Sequence, residues 1–249
     1  DITKSITKWS YCLKNTDEIP EILDKAFGIA NTGKKGPVHI DIPKCILTNE
    51  VYLPFGHLNN YSFNDNYFRV LRKEIFNKNK FNDIIKIINK SKNPIFYVGQ
   101  GSKHTSNELY HCIKKSNIPC TSTIHGKGIF PENEELSLKW CGMHGMASAN
   151  FAIQQSDCII AIGSRFDDRT TGNTEYYAPI AKKKKQIIHI DIEEKQFNRA
   201  INSDYNLLMD SKDFLKKLLP KLESNNRTEW KNNILYLKEK HDFKYNIPN

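Results

Sequence analysis

The 249-residue sequence has no apolar run approaching the roughly 20 residues that a membrane-spanning helix requires. It also lacks an opening pattern of charged, apolar and small residues, which would be typical of a secretory signal. These absences predict a soluble protein without a membrane partner. The sequence begins at Asp1, inside a patterned segment and without an initiator Met, so we expect a piece of a longer chain.

Cysteine and histidine show no pattern typical of a metal or disulfide site. None of the six cysteines forms a Cys-x-x-Cys pair, several lie in apolar runs, and the eight histidines have no metal-ligand spacing. A disulfide framework or a zinc site is therefore the less favoured alternative. We expect buried, reduced thiols in an intracellular protein and assign no metal to these residues.

The net charge of +9 is the one feature that favours a nucleic-acid partner. The lysines, however, are spread along the chain, and no basic stretch is interleaved with aromatic residues. The run Lys182–Lys185 is expected in a solvated loop. We predict no nucleic-acid partner, and a basic RNA-binding module, which would bind with a steep salt dependence, is the least favoured alternative.

Four apolar runs end in glycine or in an acid, and this pattern is the most informative one in the chain. Short apolar runs bounded by turn signals are typical of strands buried on both faces. Such strands belong to parallel sheets covered by helices, whose ligands bind beyond the carboxyl ends of the strands. The pattern therefore predicts a cofactor site at the ends of the four runs, which are Pro94–Gly101, Pro119–Gly128, Cys158–Asp168 and Gln186–Ile192.

Helical and strand patterns alternate from about Phe81, which predicts βαβ crossovers and a parallel sheet. The predicted helices cover 83–90, 106–116, 147–155 and 214–222, and the predicted strands cover 95–98, 119–124, 158–162 and 186–192. A short helix around Trp230 is expected at the edge of a further unit.

The first part of the chain predicts one helix and one strand that cannot bury their faces alone. The helix covers 17–30, with Thr16 or Asp17 as its cap, and the strand covers 37–42. From Cys45 to about Asn79 no period is sustained, which indicates a linker.

Several loops after the predicted strands carry residues suited to a nucleotide-like ligand. Gly99 and Gly101 allow close approach of backbone to a ligand, although a tight strand-to-helix turn would use them equally well. The segment Gly163–Arg169 contains two arginines and two aspartates. Arginine binds phosphate bidentately, and aspartate accepts hydrogen bonds from ribityl or ribose hydroxyls. The alternative for this segment is an Arg/Asp ion-pair lock.

Two more loops extend this prediction. Asp191 ends an apolar run, where a carboxylate suits a ribose hydroxyl or, alternatively, caps a helix. In Cys141–Gly145, glycines flank Met143 and His144, so this backbone is expected to line a flat ligand, although a lone histidine is more often satisfied structurally.

Together these segments resemble the thiamine-diphosphate-dependent acetolactate synthases, in their large catalytic subunit. The similarity lies in SITKWSY at Ser5–Tyr11, in Gly33–Val38 followed by Asp41–Lys44, and in the later motifs. CGMHG, GSRFDDRTTGN and IIHIDI follow in the family's order, and the match extends from about Ile2 to Leu219.

The resemblance implies an α/β fold with a parallel sheet flanked by helices. This would be a Rossmann-like, DHS-like NAD/FAD-binding central domain, preceded by the C-terminal edge of a thiamine-pyrimidine-binding α/β domain. The implied divisions are the end of the pyrimidine domain at 1–45, a linker at 46–79, the central FAD-binding domain at 80–222 and a lead into the pyrophosphate domain at 223–249.

The resemblance also implies roles for residues. Lys44, Asp168 and Arg169 would line the channel to the thiamine, and no catalytic residue would lie in this segment. Lys34 stands where the family has arginine, and Gln100 where it has the middle glycine of a run. The implied flavin contacts are Lys34, Gln100, Thr123, Ile124, Cys141, Gly142, Met143, His144, Gly163, Ser164, Arg165, Phe166, Asp167, Asp191, Ile192, Asp210 and Ser211.

The implied activity is decarboxylation of pyruvate and condensation with a second 2-oxo acid to 2-acetolactate or 2-aceto-2-hydroxybutyrate, in branched-chain amino-acid synthesis. FAD would bind this segment, and thiamine diphosphate and Mg²⁺ would bind the full subunit. The segment alone is expected to be inactive, because the activating glutamate and the Mg²⁺ motif would lie outside it.

The implied partners are 2-oxo acids, further copies in a homodimer or homotetramer, and a regulatory small subunit. The implied location is the mitochondrion or plastid of a eukaryote, or the cytoplasm of a bacterium. The alternatives are another thiamine-diphosphate carboligase, such as glyoxylate carboligase, and a central domain kept as a non-catalytic scaffold.

Overall fold

The computed structural model describes residues 2–50 and 77–243, and the chain divides into two compact units, 1–74 and 75–249. Most of the predicted linker falls on 51–76, which lie outside the described residues. The division into pyrimidine, linker, central and pyrophosphate segments therefore stays a prediction.

The first unit pairs two short parallel strands, with Trp9 opposite Val38. A small core forms from Leu13, Ile22 and Ile46. The second strand and the first helix match the predicted segments to within about two residues, a typical boundary error, whereas the first strand was not predicted. The elements are β1 (Trp9–Cys12), α1 (Ile19–Asn31), β2 (Val38–Asp41) and α2 (Lys44–Leu47).

The predicted cap of the first helix is wrong. Helix α1 begins at Ile19 after Glu18, and neither Thr16 nor Asp17 is its cap. The Glu18 carboxylate instead accepts a hydrogen bond from the Tyr11 hydroxyl at 3.0 Å and from the Asn15 amide at 3.2 Å. These bonds fix the turn before the helix, and Pro20 suits the first turn because its missing N–H would have no partner there.

The second unit is a six-stranded sheet in which every neighbouring pair is parallel, which confirms the predicted α/β fold. Its spatial order is β5-β4-β3-β6-β7-β8. The strands are β3 (Pro94–Val98), β4 (Cys120–Ser122), β5 (Ser137–Trp140), β6 (Cys158–Ile162), β7 (Ile187–Asp191) and β8 (Tyr205–Leu208). The chain adds strands on one side of β3 and then returns to add β6 on its other side. The strand order therefore reverses between β3 and β6.

Helices cover both faces of this sheet. On one face, α3, α4 and α8 bury residues such as Phe81, Leu109 and Phe214 in one core cluster. On the other, α5, α7 and α9 contribute Ala149, Ala181 and other residues to a second cluster. The helices are α3 (Lys78–Lys90), α4 (Ser106–Ser116), α5 (Ala147–Gln155), α6 (Asp168–Thr171), α7 (Pro179–Lys184), α8 (Ser211–Leu218) and α9 (Thr228–His241).

Sequence periodicity identified the interior strands but missed the edges. β3 and β6 are buried along their whole length, as the continuous apolar runs predict. The edge strands β5 and β8 were not predicted, because they are short and only partly buried. Strand β4 ends at Ser122, before the predicted end at residue 124, because a 3-10 turn begins at Ile124.

The lysine run is not the predicted solvated loop. Lys182–Lys184 form the last turn of helix α7, which buries Ala181 against the sheet. The Lys184 ammonium lies 3.0 Å from the carboxylate of Asp157, which is itself buried. Burial of Asp157 requires a charged partner, which Lys184 supplies.

All six cysteines are free, as predicted. Cys112, Cys120, Cys141 and Cys158 are buried, whereas Cys12 and Cys45 are exposed, so the prediction of burial is wrong for those two. In the described part of the chain, no helix combines the length and the apolar character needed to cross a membrane.

The loops after β3 and β6 meet backbone to backbone at the point where the strand order reverses. A Cβ added to Gly99 would lie 2.3 Å from the Gly163 carbonyl oxygen, and one added to Gly163 would lie 2.6 Å from Gly101. The Gly101 amide donates to the Gly163 carbonyl at 3.0 Å. Only glycine allows this approach, so the tight-turn interpretation of Gly99 and Gly101 explains their presence.

Gly163→Ala should destabilise the protein far more than Gly128→Ala, although both glycines have positive φ, +58° and +81°. Gly128 has no atom within 4 Å of an added Cβ, so its variant shows only the backbone strain, about 1 kcal/mol. Gly163→Ala should cost at least about 2 kcal/mol more, because its Cβ meets backbone. Urea unfolding of both variants measures the difference; equal losses would show that the loops are not closely packed.

Candidate functional site

The predicted cofactor residues of the second unit all lie at, or shortly after, the carboxyl ends of its strands. Because the strands are parallel, these ends meet at one edge, here named the carboxyl edge. Lys34 and Lys44 lie in the first unit, where both are exposed. The segments at the carboxyl edge are Gln100 after β3, Thr123–Ile124 after β4, Cys141–His144 after β5, Gly163–Arg169 after β6, Asp191–Ile192 at the end of β7 and Asp210–Ser211 after β8.

Arg165 is an exposed residue between two buried ones. Ser164 is buried, and Phe166 is 1% exposed with a positive φ of 51°. The Phe166 ring stacks on Tyr97 at a centroid distance of 5.1 Å and meets Tyr177 edge-on at 6.0 Å. Phe166 was predicted to contact the cofactor, but its ring lies in the core. Its neighbour Arg165 is the side chain that this loop presents to solvent.

Asp167 has a structural role in this loop. Its Oδ1 accepts hydrogen bonds from the Thr170 amide at 3.1 Å and the Thr170 hydroxyl at 2.7 Å, and so caps helix α6. Within the described residues, no ion pair joins the arginines and aspartates of Gly163–Arg169, so the Arg/Asp lock is not formed. Asp168 and Arg169 are exposed at the start of α6.

The loop after β5 is held against helix α6 by its backbone. The Met143 amide donates to the Arg169 carbonyl at 2.8 Å, and a Cβ on Gly142 would lie 2.7 Å from the same oxygen. Asn150 holds Gly142 from the other side, accepting from its amide at 2.8 Å and donating to its carbonyl at 3.0 Å. Asn150 was not predicted, because an asparagine inside a helical pattern carries no signal of such a contact.

Three large apolar side chains are exposed at the carboxyl edge: Ile124 at 59%, Met143 at 62% and Ile192 at 41%. Each follows a different strand. Exposed apolar side chains that lie along a site with a few polar groups are typical of ligand contacts. All three were among the predicted cofactor residues.

A cleft of about 310 Å³ opens between the loop after β5 and helices α5 and α6. The Arg169 guanidinium supplies its positive charge, and Arg169 Nη1 lies 3.6 Å from Met143 Sδ. The lining residues are Gly142, Met143, Asn150, Ile153, Gln154, Arg169, Thr170, Thr171, Gly172 and Tyr177.

The acids at the other strand ends are half-buried. Asp191 Oδ1 accepts from the Glu193 amide at 2.9 Å. Asp210 caps helix α8, accepting from the Lys212 amide at 2.8 Å, and the Ser211 hydroxyl donates to the Gly101 carbonyl at 3.0 Å. Asp210 and Ser211 therefore stabilise the edge itself. Asp191 is the last residue of β7 and lies at the carboxyl edge.

His189, two residues before Asp191, is completely buried. Its Nε2 lies 2.7 Å from the Ser164 carbonyl oxygen. Burial lowers the pKa of His189 from its ordinary value of 6.5 to about 4. The imidazole is therefore neutral at pH 7, and because a carbonyl can only accept, the proton is on Nε2.

Burial keeps one thiol and two tyrosine hydroxyls near the carboxyl edge protonated at neutral pH. Burial raises the pKa of the Cys141 thiol to about 12, so this thiol stays protonated at neutral pH. Burial also raises the pKa of the Tyr97 and Tyr177 hydroxyls. Among residues 2–50 and 77–243, no three His, Cys, Asp or Glu side chains are grouped so that they could hold a metal ion.

The strands and helices define an α/β domain, in which helices flank a parallel sheet whose strand order reverses between β3 and β6. A family model described as "Thiamine pyrophosphate enzyme, central domain" matches residues 81–218. The chain therefore belongs to the thiamine pyrophosphate enzymes, through their central domain. This family uses thiamine diphosphate.

Curated relatives share the name acetolactate synthase. The chain is 37% identical to acetolactate synthase 2, chloroplastic, of Nicotiana tabacum over 90% of this chain and 32% of that protein. It is 34% identical to the acetolactate synthase large subunit of Buchnera aphidicola subsp. Schizaphis graminum, over 98% of this chain and 43% of that protein. It is 33% identical to the mitochondrial acetolactate synthase catalytic subunit of Saccharomyces cerevisiae, over 98% of this chain and 37% of that protein. The chain thus spans less than half the length of these relatives.

Acid should destabilise the folded protein through His189. Between pH 6.5 and about 4 the unfolded chain binds a proton at this residue and the folded chain does not, so stability is lost as the pH falls. The loss should reach about 3 kcal/mol. Urea unfolding at pH 7 and pH 4 should show a smaller difference for His189→Gln, which cannot titrate. The exposed-histidine control His104→Gln should match the wild type, and equal pH dependence in all three would contradict the assignment.

Proposed function

We propose that this chain is the FAD-binding part of an acetolactate synthase catalytic subunit. The proposed reaction removes CO₂ from pyruvate and joins the remaining two-carbon unit to the keto carbon of a second 2-oxo acid. The products are 2-acetolactate or 2-aceto-2-hydroxybutyrate, for branched-chain amino-acid synthesis. The carboxyl edge carries the proposal, because it combines an exposed Arg165, a half-buried Asp191 and an apolar surface.

The side chains at the carboxyl edge suit the parts of FAD. Met143, Ile124 and Ile192 offer exposed apolar surface to a flat ring system. The Arg165 guanidinium can bind the diphosphate bidentately, and the Asp191 carboxylate can accept from a ribose hydroxyl. Gln100 is exposed, so its side chain lies at the surface of the loop rather than between the packed loops. In the proposed reaction FAD supplies no net electron transfer.

In the proposal Asp168 and Arg169, exposed at the start of α6, contact the 2-oxo acid substrates. Arg169 lines the cleft and offers a planar guanidinium to the carboxylate of a 2-oxo acid. Asp168 beside it is exposed, and Lys44 is exposed in the first unit. In the proposal Asp168 and Arg169 line the path to thiamine diphosphate, which with Mg²⁺ would be bound by the full subunit.

The proposal extends to assembly and location. It includes a homodimer or homotetramer of the full subunit and a regulatory small subunit. Relatives of this chain carry the words chloroplastic and mitochondrial in their names, which supports an organelle location in a eukaryote. A bacterial source would place the protein in the cytoplasm.

Titration of FAD into the purified protein tests the flavin site. We expect saturable binding with one FAD per chain, followed by flavin fluorescence. Arg165→Ala and Asp191→Asn should each weaken binding by at least about tenfold, because each removes a charge-assisted hydrogen bond worth about 1.5–3 kcal/mol.

Matched controls lie at the opposite, amino-terminal edge of the sheet. Lys92→Ala and Glu223→Gln change exposed charges there and should leave the affinity for FAD unchanged. A folded wild-type protein that does not bind FAD would contradict the proposal and favour the non-catalytic scaffold.

The full-length subunit, supplied with thiamine diphosphate, Mg²⁺ and FAD, should convert pyruvate to 2-acetolactate. Arg169→Ala should raise KM for pyruvate by roughly tenfold with a smaller change in kcat, because a carboxylate loses its bidentate partner. Lys92→Ala again provides the control. Turnover of glyoxylate in place of pyruvate would identify the alternative carboligase.

A further inference from the structure

We propose that His189 is a positioning residue of the flavin site. Its Nε2–H donates a hydrogen bond to the Ser164 carbonyl, and its ring packs against Phe166. These two contacts fix the backbone on both sides of Arg165 and keep Arg165 exposed at the carboxyl edge. This inference rests on the proposed flavin site. His189 itself is buried and does not reach a ligand.

The hydrogen bond joins two adjacent strands through the loop that follows one of them. His189 lies on β7, and Ser164 follows the end of β6. Both residues are buried, and the distance from Nε2 to the carbonyl oxygen is 2.7 Å. Without the imidazole N–H this buried carbonyl would lose its donor, which costs about 1–3 kcal/mol.

The orientation of the imidazole is fixed by aromatic rings on two sides. Phe166 lies edge-on to His189 at 5.2 Å and Phe197 at 5.1 Å, with interplanar angles of 82° and 80°. Nδ1 has no hydrogen-bond partner among the described residues, which fits a bare acceptor on the ring. The packing therefore directs Nε2, and not Nδ1, towards Ser164.

The same rings stabilise an unusual backbone conformation. Phe166 has a positive φ of 51°, which is unfavourable for a bulky residue and persists only when its surroundings hold it. The Phe166 ring is surrounded by three rings: Tyr97 from β3, His189 from β7, and Tyr177 from the segment before α7. Arg165 is thus fixed on one side by the Ser164 carbonyl and on the other by the Phe166 ring, and His189 contacts both.

The roles of packing and of hydrogen bonding can be separated by two amide substitutions. In His189→Gln the amide nitrogen can reach the position of Nε2, whereas in His189→Asn it reaches only the position of Nδ1. Both variants remove the ring, so both lose its packing. Only the glutamine variant can still donate to Ser164.

The test measures FAD affinity of the full-length protein. We expect His189→Gln to bind FAD within about threefold of the wild type. His189→Asn, which loses the donated hydrogen bond, should bind at least about tenfold more weakly, a difference of about 1.4 kcal/mol. Equal weakening in both variants would reduce His189 to a packing residue, and unchanged affinity in both would overturn the proposal.

A second measurement needs no flavin, and its first part uses only the wild type, so it applies even if a variant fails to fold. NMR of the wild type with ¹⁵N-labelled histidine should show His189 as the neutral Nε2–H tautomer, and amide exchange of residues 164–167 should be faster in His189→Asn than in His189→Gln. The opposite tautomer would overturn the proposal. A wild type that does not bind FAD refutes the flavin site alone, because the tautomer and the exchange rates still decide whether His189 fixes this loop.

Discussion

The close approach of backbone between the loops after β3 and β6 is the constraint on which the carboxyl edge depends. Gly99, Gly101 and Gly163 have no side chains, so the two loops pack directly on each other where the strand order reverses. The contact holds the backbones of the two loops together, and Arg165 is the exposed charged side chain of the β6 loop. In the proposed flavin site, FAD would contact this side chain.

Beneath this exposed surface the site is buried and aromatic. Phe166, Tyr97 and Tyr177 form a continuous ring cluster, and His189 joins it from the next strand. Burial keeps the imidazole and the Cys141 thiol uncharged at neutral pH, whereas the charged side chains of the edge are half-buried or exposed. The carboxyl edge thus combines an uncharged layer of packed aromatic rings with a few polar groups above it. This arrangement would suit a bound cofactor.

The sequence predicted the interior strands of the second unit well and its two outermost strands poorly. Continuous apolar runs identified β3 and β6, because strands buried on both faces allow few polar residues. Strands β5 and β8 escaped prediction because partly buried edges need no such run. Residue type and position favoured Arg165 and Asp191 as cofactor residues, and the structure places both at the carboxyl edge, where their cofactor contacts stay a prediction. The burial of the Phe166 ring and the contacts of Asn150 and His189 depend on tertiary packing, which no local pattern shows.

The hydrogen bond between the Met143 amide and the Arg169 carbonyl has a consequence for the surface of this unit. It holds an exposed apolar side chain beside an exposed guanidinium, and both side chains line the cleft. The apolar surface of the carboxyl edge therefore continues into the charged cleft. A ligand on the edge and a ligand in the cleft would share the Met143 side chain.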